Sequence, residues 1–262
     1  MRISGLVLSL FLGAAVLAGF PAPGLASHDV GSGKPVITLA TIQVQKQQAV
    51  RARKDEAAEP IDPMEKLLNT VAKEVGVTFE YLRVPWARAL RMVRDDTVNG
   101  TFFASFKPER TAYAVYPMKS DWMPDTARAL KVYSYWLYSL KSKGGDWDGT
   151  RLVGNVKRIG AERGTSIIRK LKGLGVTVVE AAEYWTLARM LVRDRFDAFA
   201  GTAEVYRNII SRVPSYAAKV SRSTKPLEMK YGYLIFSRPF FAEHPDLAER
   251  IWDRISIINK KH

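Results

Sequence analysis

Arg110 closes the stretch Thr101-Phe-Phe-Ala-Ser-Phe-Lys-Pro-Glu-Arg110, and its setting is that of an anion receptor. A short apolar run stops at the hydroxyl of Ser105, and Pro108 and Glu109 then open the first turn of a helix. Proline is tolerated there because its missing N–H has no intrahelical partner, and an acid suits the positive helix end. A guanidinium in that turn, beside free backbone N–H groups, takes a carboxylate or a phosphate. The competing reading is an ion pair between Arg110 and a neighbouring acid such as Glu109. No paired carboxylates, nucleophile–base pair or metal-ligand cluster stands out, so no catalytic residue is assigned. The three histidines, at 28, 244 and 262, lie near the chain ends, which argues against a His-built metal site. Cysteine is absent, which excludes disulfides and thiolate chemistry.

The elements that must position these groups alternate between strand and helix. Residues 35–40 read as a first strand, and Asp62-Pro63-Met64-Glu65 as a helix start with an Asp cap and Pro at the first position. Met64, Leu67, Leu68, Val71, Ala72 and Val75 fall on one face before Gly76 stops the helix. A strand over 77–84 precedes a helix opened by Pro85-Trp86, and 99–104 is the next strand. The run 130–140, rich in Tyr and Val, is long enough to cross from one lobe to another. Strands over 157–161, 176–179 and 196–200 then alternate with helices begun at Gly164-Thr165-Ser166, at Glu183 and after Thr202. Residues 231–237 form a strand that returns, and Pro245 begins the last helix. Such alternation points to parallel sheets with crossover helices. In open α/β sheets ligands bind beyond the carboxyl ends of strands. That rule selects Trp86, Ser105, Phe106 and Arg110 in the first half, and Arg163, Thr165, Ser166 and Thr202 in the second. Thr165 and Ser166 also serve as helix caps, Trp86 as packing between elements, and Arg163 as a surface cation.

Several landmarks occur in a familiar order: Pro85-Trp-Ala-Arg-Ala89, Pro108-Glu-Arg110 with Tyr116-Pro117, Gly160-Ala-Glu-Arg-Gly-Thr165, Phe196-Asp-Ala198 and Lys230-Tyr-Gly-Tyr-Leu-Ile-Phe236. Together they resemble the polar-amino-acid branch of bacterial periplasmic solute-binding proteins, across roughly residue 35 to the C-terminus. The resemblance implies an α/β fold of two lobes, with two mostly parallel sheets, flanking helices and two crossing strands. Lobe one is expected at 28–132 plus 228–262, and lobe two at 133–227. It further implies that Arg110 holds the ligand's α-carboxylate, that Ser105 is a polar contact, and that Thr165 closes on the carboxylate from the other lobe. Where amino-acid binders carry an acid for the α-ammonium, this chain reads Ala200-Gly201-Thr202, and Glu204 lies further into the helix. The Pro-aromatic pair of the family's first loop is replaced by the polar stretch 43–60.

The remaining features bound the setting. Arg2 is the only charge before Asp29, the run 3–20 is nearly all apolar, and Pro21, Pro23 and Gly24 precede Gly24-Leu25-Ala26. This reads as an export signal spanning 1–26, cleaved near Ala26, and places the protein in a periplasm. With 40 Lys and Arg against 26 Asp and Glu, the formal charge is +14, which attracts anions generally. Export argues against nucleic acid as the partner. The expected partners are a small anionic or zwitterionic solute and a membrane permease or sensor, with the protein a monomer that needs no cofactor. Two alternatives stand beside this reading. One is a dehydratase-like enzyme using Glu204 or Glu162 as its acid, and the other a basic module for cell wall or a receptor.

Overall fold

A computed structural model describes residues 34–42, 63–120 and 122–260. The expected export signal and the polar stretch 43–60 lie outside the described residues. Eight longer strands carry the architecture: β1 Val36–Ile42, β2 Thr78–Val84, β3 Gly100–Ser105, β4 Lys131–Leu140, β5 Arg158–Glu162, β6 Thr177–Ala181, β7 Ala198–Thr202 and β8 Glu228–Ser237. The helices are α1 Pro63–Val75, α2 Trp86–Arg94, α3 Ile167–Gly173, α4 Tyr184–Val192, α5 Ala203–Arg212, α6 Ser215–Lys219, α7 Arg238–Glu243 and α8 Pro245–Asn259.

Two parallel groups make up the sheet: β2-β1-β3, and β6-β5-β7. The long strands β4 and β8 cross between them and pair antiparallel with each other from Glu228↔Tyr135 to Gly232↔Lys131. Because β4 also pairs with β7 and β8 with β3, the hydrogen-bonded path runs unbroken as β6-β5-β7-β4-β8-β3-β1-β2. The crossing strands are therefore part of the sheet rather than loose links. Each half has its own core on both faces, which is why inner strands such as β3 and β7 read as nearly continuous apolar runs. In the first half α1 and α8 bury Leu68, Val71, Ile251 and Trp252 against Ile37 and Leu39, while α2 buries Ala89, Leu90 and Val93 on the opposite face. In the second half Ile167 and Leu171 of α3 cover Leu137 and Ile159, and Leu187 and Leu191 of α4 cover Phe196 and Phe199. None of these four clusters draws buried residues from both halves.

One expectation is corrected. The helix begun by Pro108 is a single 3-10 turn, Pro108–Arg110, because Ala114–Val115 must already pair with β8 at Ser237 and Phe236. At Gly100 a Cβ would lie 2.4 Å from the Ile235 carbonyl oxygen, in the ladder between β3 and β8. Gly100→Ala is expected to cost about 2–3 kcal/mol, since a backbone atom cannot step aside as a side chain can. Urea unfolding of the two proteins measures it.

Candidate functional site

The residues at the strand ends enclose a cavity of about 330 Å³ where the two halves meet. Ser105 ends β3, and the turn after it swings Arg110 back beneath it. Arg110 as a whole is 4% exposed. Its Nη1 donates to the Ser105 carbonyl at 2.6 Å, and Nη2 donates across the cleft to the Gly164 carbonyl at 2.8 Å. Each carbonyl has a second donor: the Tyr116 hydroxyl on Ser105 at 3.0 Å, and Trp86 Nε1 on Gly164 at 3.3 Å. The Arg110 guanidinium also lies 5.5 Å from the centre of the Trp86 ring. Gly164 holds this junction with φ +81°, a left-handed conformation that suits glycine, and presents its carbonyl to both first-half side chains. Among the described residues no acidic side chain stands within ion-pair distance of Arg110.

From the second half come Glu162, Thr165 and Ser166. Thr165 Oγ1 donates to the Glu162 carbonyl at 2.6 Å, whereas the buried Ser166 Oγ has no partner among the described residues. The Glu162 side chain is buried, and desolvation raises its pKa to about 8. A hydrogen bond from Tyr184 opposes that rise and the nearby Glu183 adds to it. The crossing strand β4 lays Lys131, Tyr133 and Tyr135 along the cavity, and α5 adds Glu204, Arg207 and Asn208. Lys131 pairs with Glu204 across the cleft, and its ammonium lies 5.7 Å from the Phe103 ring centre. Phe103 itself has φ +63°, at a bulge where β3 gains one residue against β8. A bulky residue held there marks strain beside the cavity.

The sequence matches no protein-family model and no curated protein. Solved structures do match over nearly the whole described chain. One is the substrate-binding protein AbpA of an amino acid ABC transporter from Streptococcus pneumoniae, bound to L-arginine. It is 14% identical at TM-score 0.62, with 86% of this chain and 90% of that one covered. A histidine kinase sensor domain similar to periplasmic binding proteins matches at TM-score 0.64 and 14% identity, over 87% and 92%. The GluR0 ligand-binding core from Nostoc punctiforme, in complex with (L)-glutamate, matches at 0.58 and 13%, over 86% and 93%. The chain has the two-lobed periplasmic-binding-protein fold.

In this binding-protein fold six residues picked from the sequence come together around one cavity: Trp86, Ser105, Arg110, Thr165, Ser166 and Thr202. Thr202 also caps α5, its Oγ1 accepting from Val205 N at 3.3 Å. Phe106 and Arg163 are not in the lining. Phe106 packs edge-on against Tyr116, with ring centres 5.2 Å apart. The Arg163 side chain is 60% exposed and faces Glu180 at 4.0 Å. Glu109 stands 3.7 Å from Arg169 across the cleft rather than pairing with Arg110. Lys131, Tyr133 and Tyr135 were not singled out, although their i, i+2, i+4 spacing on a strand places them on one face. Glu162 entered the sequence reading only as a candidate acid.

Proposed function

We propose that this chain is an exported solute-binding protein that captures a small carboxylate-bearing solute, amino-acid-like or an organic acid, between its lobes. Lobe one is taken as 28–132 plus 228–262 and lobe two as 133–227, divisions that the separate cores support. The bound form would be read by a membrane permease or a sensor, in keeping with the transporter and kinase contexts of two fold neighbours. One observation carries the reading: among the described residues, the buried guanidinium where the two halves meet is satisfied by neutral oxygens and lacks a counter-charge. A buried cation without an anion is unfavourable, and a solute carboxylate supplies the missing charge in the geometry a guanidinium fork prefers. The Ser166 hydroxyl, buried and without a partner among the described residues, meets the same solute from the second lobe. No bond is made or broken; the solute shifts the lobes toward the closed state by binding that state better.

A thermal-shift and calorimetry panel of amino acids, organic acids and neutral sugars tests this. A carboxylate solute at a hundred times its Kd should add about 3 kcal/mol of stability, with one-to-one stoichiometry. Stabilisation by sugars alone, or by nothing in the panel, would overturn the proposal. Partner binding that collapses with added salt would instead favour the basic-surface reading.

A further inference from the structure

Resting on that reading, we infer that Glu162, framed by Tyr184 and Tyr135, seats a cationic nitrogen of the same solute whose carboxylate Arg110 receives. Five charged side chains line the cavity, and two of them, Lys131 and Glu204, satisfy each other. Arg207, largely exposed, adds only a distant contact of 3.9 Å to Glu204. Among the described residues that leaves Arg110 without an anion and Glu162 without a cation, both buried and both lining one cavity. They do not pair with one another. Tyr135 lines the same cavity as both. A guanidinium and a buried carboxyl that an arriving cation would ionise, at separate points of one cavity, are complementary to a zwitterion.

The surroundings of Glu162 fit this role from every side. Its own loop offers Thr165, whose hydroxyl is committed to the Glu162 carbonyl. α4 supplies the Tyr184 hydroxyl and the Glu183 carboxylate, and β4 supplies Tyr133 and Tyr135. α5 brings Asn208 and Arg212 toward a smaller adjoining cavity of about 90 Å³, where the Arg212 guanidinium lies 5.7 Å from the Trp185 ring centre. The influences on the Glu162 carboxyl are burial, Tyr184 and Glu183, with no cation among them. Without solute, burial therefore favours the neutral acid near pH 7. An arriving ammonium or guanidinium restores the carboxylate and expels its proton. The acid sits at the end of β5, not at Ala200-Gly201-Thr202 on the neighbouring strand β7.

Proton linkage separates this inference from a merely structural role. L-alanine, L-aspartate and L-glutamate are titrated by calorimetry at pH 7 beside propionate, succinate and glutarate, in two buffers of different ionisation heat. L-lysine and L-arginine extend the amino-acid series. The best amino acid is expected to bind at least tenfold tighter than its deaminated counterpart and to release protons on binding. Its affinity should rise close to tenfold per pH unit from pH 6 toward pH 8. Glu162→Gln, which keeps the size and the Tyr184 contact, should abolish the release and flatten the pH profile. Infrared difference spectra of the wild type should show a protonated carboxyl band disappearing on binding, a readout that needs no variant. Equal binding of the deaminated acids, proton uptake, or an unchanged pH profile in Glu162→Gln would overturn the inference while leaving the carboxylate-binding function intact. Failure of every carboxylate to bind would overturn both.

Discussion

Arg110→Met is expected to weaken binding of the captured carboxylate solute by about a hundredfold, equivalent to about 3 kcal/mol, while barely changing the stability of the empty protein. The two effects separate because of how the guanidinium is held. It donates to the carbonyls of Ser105 and Gly164, and each of those oxygens keeps another donor, Tyr116 or Trp86, when Arg110 is gone. No carbonyl is orphaned. The substitution also removes a buried cation that has no counter-charge among the described residues, and exchanging such a charge for an apolar side chain of similar length is often neutral. Stability should therefore stay within about 1 kcal/mol of wild type. Arg110→Lys retains the charge but not the planar fork, and should recover only part of the affinity. Calorimetry with the best ligand and urea unfolding of the empty proteins give the two numbers. Full affinity in Arg110→Met would refute the carboxylate clamp.

The fold was legible in the sequence because its signals are local. Pro85 before Trp86, Pro63 opening α1, and Thr202 ahead of α5 mark helix starts through backbone chemistry that tertiary context seldom overrides. The cavity was partly legible because ligand positions follow from topology: groups at strand ends converge whatever their exact identity. What the rule did not resolve is alternation. In an extended chain successive side chains point to opposite sides, so Ser105 lines the cavity while Phe106 turns under Tyr116. Likewise Glu162 lines it and Arg163 faces outward toward Glu180. The same two-residue period brings Lys131, Tyr133 and Tyr135 inward from a strand that had been read only as a connection. The Lys131–Glu204 pair and the bulge at Phe103 depend on which strands meet, and no sequence-local signal carries them. The single turn at Pro108 has the same origin, since its helix signal was real but the pairing of Ala114–Val115 with β8 cut it short.

Glu162 should also govern how stability depends on pH. Its carboxyl has an ordinary pKa near 4.5 when the chain is unfolded, and burial raises it to about 8 in the native protein. Between these values the folded state binds the proton more strongly than the unfolded state, so raising the pH costs stability. The slope from this one group is about 1.4 kcal/mol per pH unit, accumulating to roughly 4–5 kcal/mol by pH 8 and levelling above it. Glu162→Gln lacks the titration but keeps the shape and a hydrogen bond for Tyr184. At pH 4.5 the variant and wild type should unfold at similar urea concentrations. By pH 8 the variant should be the more stable by several kcal/mol, with the gap opening steadily between. This trend runs opposite to that of salt-bridged carboxylates, whose stability is lost toward acid, so the difference between the two proteins isolates it. A saturating zwitterionic solute should narrow the gap at pH 8, because its cation compensates the ionised carboxyl in wild type and finds no charge in the variant. A gap that is constant with pH would show that the Glu162 carboxyl ionises as readily in the native protein as in the unfolded chain.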